Sequence, residues 1–80
     1  MAQFEFLGRL SDQYESPMQL SIPQSVATLA ALRLWLNTHL QTDQFSQPSI
    51  RAIVNANMVT DTAAVTDTDD IVFYPPVGGG

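Results

Sequence analysis

The 80 residues are enough for one domain, and with 45% hydrophobic residues the chain can pack a modest core. The absence of cysteine excludes disulfides, a thiolate metal cluster and any side chain able to carry a persulfide. A net charge of −5 argues against nucleic-acid binding and favours soluble or basic protein partners.

The chain gives no sequence signal for export or membrane insertion. Its apolar stretches are far shorter than the roughly 20 residues that a membrane-spanning helix needs. The opening segment MAQFEFLGRL lacks a basic region followed by an apolar run, so no signal peptide is predicted. We therefore expect a cytoplasmic protein that does not bind a membrane.

The first predicted elements are two strands. Residues 3–10, QFEFLGRL, alternate in polarity, with Phe4 and Phe6 on one face and Leu7 on the other. Residues 18–22, MQLSI, alternate again and end before a proline. The turn-rich segment between them favours a hairpin.

One long helix follows, over residues 25–40. Ser25 is predicted as its N-cap, because a serine hydroxyl can accept from an unpaired amide of the first turn. Apolar residues recur at helical spacing from Val26 to Leu40. Such a stripe is typical of a helix that packs on a sheet.

The second half of the chain is predicted to form mainly strands and turns. Residues 50–54 predict a third strand, and 55–59 predict a turn into a short return strand. Residues 60–70 predict a loop and 71–74 the last strand. The order β-β-α-β-β-β predicts an α+β domain with the order of a β-grasp fold, in which one main helix packs on one face of a mixed sheet.

The predicted domain covers residues 1–74, and PPVGGG at 75–80 is predicted to be an extended tail. Pro75 and Pro76 fix φ, the glycines form a thin thread, and the six residues from Pro75 to Gly80 together reach roughly 20 Å at ~3.3 Å per residue. Such a tail can carry its terminal carboxylate into a narrow channel of another protein. The alternative is a frayed chain end.

Internal candidates for chemistry are weak. Asp67, Asp69 and Asp70 alternate with threonines but lack the glycine and glutamate of an EF-hand loop, so they predict an acidic turn. His39 is the only histidine and has no cysteine to share a metal with. Neither a metal site nor an internal catalytic site is predicted.

The sequence resembles the MoaD family, the small sulfur-carrying subunits of molybdopterin synthase, which are ubiquitin-like proteins. The resemblance covers nearly the whole chain, namely FEFLGRL, SVATLAALRLWL, IRAIVNANMV, TDTDDIVFYPPV and the terminal Gly-Gly. The combination of AIVN, the acidic turn, Pro-Pro-Val and Gly79-Gly80 in this order is the most specific part.

This resemblance implies a function for Gly80. An ATP-dependent, E1-like activating enzyme adenylates its carboxylate, and a sulfur donor converts the adenylate to a thiocarboxylate. The sulfur then passes to a cyclic pyranopterin monophosphate in a heterotetramer with two large subunits, which supply the catalytic side chains. The domain itself binds no cofactor. The tail residues that enter the partner are implied to be Pro75, Pro76, Val77, Gly78 and Gly79.

Strand alternation also predicts a docking surface. Leu7 and Tyr74 are expected to point away from the helix, and Met58 to join them. In the family this face meets both partners, so the three residues are predicted to form an apolar docking patch.

Three alternatives remain open. A thiamine-type sulfur carrier shares the fold and the Gly-Gly end. A ubiquitin-like modifier would conjugate through Gly80. A plain structural domain with a disordered tail requires the motif match to be chance.

Overall fold

The computed structural model describes residues 1–76, which form a five-stranded sheet and one α-helix. Two short 3₁₀ helices lie at Gly8–Asp12 and Gln44–Ser46. The strands and the helix, in chain order, are β1 (Ala2–Phe6), β2 (Met18–Leu20), α1 (Leu29–Leu40), β3 (Arg51–Val54), β4 (Asn57–Met58) and β5 (Asp70–Tyr74).

The sheet is mixed, with the strand order β2-β1-β5-β3-β4. The two central strands, β1 and β5, are parallel, and every other neighbouring pair is antiparallel. The predicted element order and the α+β class are therefore confirmed. Because β1 and β5 run in parallel, their carboxyl ends meet at one edge of the sheet, where the chain continues from Tyr74 into the tail.

Alternation along the strands separates a buried face from an open face. Phe4 and Phe6 of β1, with Ile71 and Phe73 of β5, are fully or almost fully buried on the side of α1, as predicted. Phe73 also packs edge-on against Phe45 of the second 3₁₀ helix, with ring centroids 5.2 Å apart. The other core residues are Ala2, Leu10, Ile22, Leu29, Leu32, Leu36, Ile50, Ala52, Val54 and Val65.

Helix α1 begins later than predicted, at Leu29 instead of residue 25. Thr28 is its N-cap, and the Thr28 hydroxyl accepts a hydrogen bond from the Ala31 amide at 3.2 Å. Ser25 lies in a turn instead. Thr28 pairs with Ala64 in an isolated antiparallel bridge, which holds the preceding backbone extended and delays the helix.

Among residues 1–76, Arg33 is the one charged residue in the core, with 9% of its surface exposed. Its Nε donates to Asp61 Oδ1 at 3.0 Å, and its Nη1 donates to the Phe45 carbonyl at 2.9 Å. The guanidinium carbon lies 5.8 Å from the centre of the Phe73 ring. Arg33 therefore connects α1 to the loop that holds Asp61, to the second 3₁₀ helix and to the strand that leads into the tail.

Strand β1 ends at Phe6, whereas the sequence predicts a strand to residue 10. Gly8 has φ of +58°, in the left-handed region, and begins a 3₁₀ helix there. This turn brings Leu10 into the core. Strand β2 also ends early, at Leu20, because the amide of Ile22 donates to the Asp67 carboxylate at 2.7 Å instead of to a strand neighbour.

The β3–β4 hairpin turns through two residues, Asn55 and Ala56, which have φ of 51° and 68°. Positive φ at both positions is the type I′ turn, whose twist suits a two-residue hairpin. The Asn55 amide side chain donates to Asp69 Oδ1 and accepts from the Asp70 amide, each at 2.9 Å. Asn55 therefore fixes the hairpin to the start of β5.

The helical segments within residues 1–76 include none with the length and apolar character needed to cross a membrane.

Candidate functional site

The base of the predicted tail packs on the domain. Pro75 is buried, and Pro76 is exposed. A Cβ built on Gly8 would lie 3.1 Å from Cγ of Pro75, so the proline ring lies directly against the glycine backbone. The Leu7 amide donates to the Phe73 carbonyl at 3.0 Å. This hydrogen bond extends the β1–β5 pairing up to the contact between Gly8 and Pro75.

A cavity of about 270 Å³ opens at the base of the tail. It is lined by Leu7, Gly8, Arg9, Tyr74, Pro75 and Pro76. These residues come from the end of β1, the 3₁₀ helix that follows it and the end of β5. The first two predicted tail residues, Pro75 and Pro76, thus form part of one wall of a shallow cavity.

The remaining predicted tail residues, Val77, Gly78, Gly79 and Gly80, lie outside the described residues. Gly80 is the residue on which the predicted chemistry depends. The structure therefore describes the base from which that segment starts and the surface around the base.

The predicted docking residues are all on the sheet face opposite α1 or at its rim. Leu7 is 46% exposed, Met58 is 71% exposed, and Tyr74 is half-buried. Leu7 and Tyr74 line the same cavity at the tail base. Met58 lies two strands away from β5, so it does not touch that cavity.

Two further apolar residues connect Met58 to the tail base. Ile53 is the cross-strand partner of both Met58 and Val72, which places the three side chains in one row. Tyr74 lies one row further along β5, beside Leu7. We call Leu7, Ile53, Met58, Val72 and Tyr74 the apolar stripe. Sequence reasoning missed Ile53 and Val72, although the alternation that buries their neighbours also places them on this face.

The charges around the stripe are arranged along the strands. Arg51, at the start of β3, is exposed and pairs with Tyr74 across the strands. Glu5 pairs with Val72, one row away from the tail base, and Gln3 pairs with Asp70 at the far end. The tail end of this face therefore carries a cation, and the opposite end carries a carboxylate.

The acidic turn has a structural role, since its carboxylates accept bonds from backbone amides. Asp69 Oδ2 accepts from the Thr66 amide at 2.8 Å, and Asp67 accepts from Ile22. The bond from the Ile22 amide is the main cause that lowers the pKa of Asp67 from 3.8, and the Met1 ammonium, 3.4 Å away, lowers it further. These bonds hold the acidic turn to the segment after β2 and to the amino terminus, at the end of the sheet far from the tail.

The other titratable candidate, His39, stacks on Trp35 one helical turn earlier, with ring centroids 5.2 Å apart. Within residues 1–76 no group of three or more His, Asp and Glu side chains is placed to hold a metal ion. His39 is exposed in the last turn of α1.

Comparisons with known proteins agree with this architecture. The model of the ThiS family matches residues 4–80. The crystal structure of SAMP1 from Haloferax volcanii is similar, with a TM-score of 0.75 and 17% identity, over 99% of this chain and 98% of that one. The solution structure of the Haloferax volcanii HVO 2177 protein has a TM-score of 0.72 and 16% identity, over 99% of this chain and 85% of that one. A search of curated proteins found no significant match.

Proposed function

This chain belongs to the ThiS family, and we propose that it is a sulfur carrier that holds sulfur as a thiocarboxylate on Gly80. One observation carries the proposal: the family match runs to the terminal Gly79-Gly80 pair. The packing of Pro75 against Gly8 supports it, because this contact fixes where the tail starts. The β-grasp fold, shared with the two similar structures, gives the tail a rigid support.

The chemistry follows from the poor reactivity of a carboxylate. One oxygen of the Gly80 carboxylate attacks the α-phosphorus of ATP, pyrophosphate leaves, and an acyl-adenylate forms. A sulfur nucleophile at the sulfide level then attacks the acyl carbon, and AMP leaves. The product is a thiocarboxylate on Gly80. An E1-like adenylating enzyme supplies the ATP site for these steps.

We further propose that the acceptor is a cyclic pyranopterin monophosphate, as in molybdopterin synthesis. The Pro75-Pro76-Val77 segment, in its order after the acidic turn, supports this branch through the resemblance to the MoaD family. The large subunit of the synthase would receive the tail, in a heterotetramer with two copies of each chain. Each carrier delivers one sulfur, and hydrolysis of the acyl group returns the Gly80 carboxylate.

Each part of the chain has a distinct task in this proposal. Pro75, buried against Gly8, holds the base of the tail. The apolar stripe beside it is a surface that a partner can cover while the tail enters the partner's channel. Glycine at positions 78, 79 and 80 keeps the tail as thin as a polypeptide allows. The acid–base side chains belong to the partner enzymes.

Two alternatives use the same activated terminus. A thiamine-type carrier would deliver the same thiocarboxylate to a different acceptor. A ubiquitin-like modifier would form an isopeptide bond between Gly80 and an amine of another protein. The three functions therefore share the adenylation step. The modifier differs in the amine that then attacks Gly80, and the two carriers differ in the acceptor that receives the sulfur.

Intact-mass spectrometry of the protein purified from its own cells tests the proposal. We expect a species heavier than the free chain by the difference between one sulfur and one oxygen atom. Isopeptide-linked products would instead support a modifier. To test the acceptor, the thiocarboxylated protein is mixed with the large subunit and the pyranopterin, and dithiolene formation is measured. A thiocarboxylate without dithiolene formation would contradict the molybdopterin branch.

A further inference from the structure

Both exposed arginines of this acidic chain flank the base of the tail. The chain has three basic side chains besides its histidine, and these are Arg9, Arg33 and Arg51. Arg33 is buried and pairs with Asp61. Arg51 is exposed beside Tyr74, and Arg9 is exposed at the cavity that Tyr74 lines.

The carboxylates of the acidic turn lie at the other end of the sheet. Strand β5 begins at Asp70 and ends at Tyr74, so about 13 Å separate these ends at ~3.3 Å per residue. Asp67 and Asp69 precede the strand at the same far end, and Glu5 lies between the two ends. Both exposed arginines therefore lie beside the tail, at the end of the sheet opposite the acidic turn, although the whole chain has a net charge of −5.

Within residues 1–76, the side chains of Arg9 and Arg51 form neither an ion pair nor a hydrogen bond. In the part of the chain that the structure describes, ion pairs join Met1 to Asp67 and Arg33 to Asp61, and neither includes Arg9 or Arg51. An exposed guanidinium has five donors in a planar fork, which matches the two oxygens of a carboxylate. Both side chains are therefore available to a partner's acidic groups.

We propose that the adenylating enzyme carries carboxylates on both sides of the mouth of its tail channel, and that these pair with Arg9 and Arg51. This inference rests on the proposed function of the tail. Six residues follow Tyr74, and a fully extended chain of that length spans at most roughly 20 Å. A terminus that enters the channel therefore leaves the arginines at the mouth of the channel, away from the nucleotide at its end. Two cations on opposite sides of the apolar stripe also define the orientation in which the carrier docks.

The charges close to the tail base, and not the net charge of the chain, determine which partner surface fits there. The net charge alone favours basic partners, because it governs long-range attraction. Once two proteins dock, charges separated by more than about 8–10 Å are largely screened at physiological salt. The groups facing the arginines are then the enzyme's residues around the channel mouth, and an acidic mouth matches them better than a basic one.

The test uses the full-length carrier, the purified E1-like adenylating enzyme of the same organism, ATP and Mg²⁺. ATP–pyrophosphate exchange gives KM and kcat for the carrier. Arg9→Gln and Arg51→Gln each make the net charge one unit more negative. Gln19→Glu makes the same change on β2, where residue 19 pairs with Gln3 at the end of the sheet far from the tail, and serves as the matched control.

We expect each arginine variant to increase KM roughly fivefold and the double variant more than about tenfold. The reason is that the loss of one ion pair across an interface weakens binding by about this factor. The value of kcat should stay within about twofold, since the arginines do not contact the reacting groups. Added salt should lower kcat/KM for the wild type and have a weaker effect on the double variant. Thermal unfolding should be the same for the wild type and all four variants.

Two results would overturn the inference. One is a double variant whose KM and salt dependence equal those of the wild type. The other is a Gln19→Glu variant with as large an increase in KM as the arginine variants, which would mean that net charge alone matters. Calorimetric measurement of binding without ATP tests the docking through the arginines separately from the adenylation of Gly80. A wild type that binds through its arginines without being adenylated supports the docking inference and contradicts the proposed function.

Discussion

Gly8 and Pro75 are in direct contact, although 66 residues of chain lie between them. The glycine adopts φ of +58°, and a Cβ on it would come 3.1 Å from Cγ and 3.4 Å from Cδ of the proline. The turn that ends β1 therefore forms the surface on which the first residue of the tail packs. This contact links the folded domain to the segment on which the proposed chemistry depends.

Gly8→Ala is expected to lower the free energy of unfolding by about 1–2 kcal/mol, because an L-residue is strained at positive φ and the new methyl group crowds Pro75. Urea denaturation measures this loss. In a Pro75→Ala background the crowding is relieved, so the same substitution should cost less. An equal loss in both backgrounds would contradict a direct contact between the two residues.

Ala56→Gly is expected to stabilise the protein by about 0.5–1 kcal/mol, since glycine adopts a φ of +68° without strain, and this gain exceeds its entropic cost. The matched control is Ala30→Gly, an exposed site in the first turn of α1, where the same change should destabilise, by less than the ~1 kcal/mol that it costs in a helix interior. Thermal or urea unfolding compares the three proteins. A destabilising effect at both positions would contradict the type I′ turn.

Asp67 is expected to make stability depend on pH in the acid range. Its folded pKa lies below 3.8, mainly because its carboxylate accepts from the Ile22 amide, so the ionised form stabilises the fold. This stabilisation is fully present above the unfolded pKa and is lost as the pH falls through the folded pKa. Asp67→Asn should therefore be less stable than wild type at pH 7, with a difference that disappears in strong acid.

Urea denaturation at a series of pH values measures that difference. Asp12→Asn is the control, since within residues 1–76 the Asp12 carboxylate is not among the side chains that accept a backbone amide. A difference between wild type and Asp67→Asn that stays constant from pH 7 into strong acid would show that the ionised form is not what stabilises the fold.

The apolar stripe makes a prediction about docking. Leu7→Asp and Met58→Asp should each raise the carrier's KM for adenylation about tenfold or more, because a carboxylate would lose its water at the interface. Both side chains are substantially exposed, so the stability should change by less than about 1 kcal/mol. Leu34→Asp is the matched control: Leu34 is 62% exposed on α1, across the domain from the stripe, and its substitution should leave KM unchanged.

If Leu7→Asp unfolds the domain, the side chain is part of the core and the assignment of faces is wrong. If all three variants raise KM equally, the effect is one of charge and not of position.

The sequence predicted the sheet, the helix and the buried face because these depend on alternation and helical spacing. The ends of the elements depend on contacts between distant residues. Ser25 and Thr28 are both suitable N-caps, and the bridge from Thr28 to Ala64 decides between them. Gly8 fits the alternation of a strand, and only its φ and its contact with Pro75 show that the strand has ended.

The site was predicted less completely than the fold. Leu7 and Tyr74 were assigned to the open face from alternation alone, and the structure puts both at the tail base. Ile53 and Val72, which connect Met58 to them, were missed because the register between strands cannot be read from one strand at a time. The position of Arg51 beside Tyr74 depends on the same register.

The central claim is that the carboxylate of Gly80 is the group that is activated, and a chain with one alanine appended after Gly80 tests it most directly. The appended residue moves the terminal carboxylate beyond the glycine thread but leaves residues 1–76 unchanged, so the thermal unfolding should match that of the wild type. In a reaction with the adenylating enzyme, ATP and a sulfide donor, intact-mass spectrometry should detect sulfur on the wild type and none on the extended chain. An extended chain that keeps its alanine and still gains sulfur would contradict the claim.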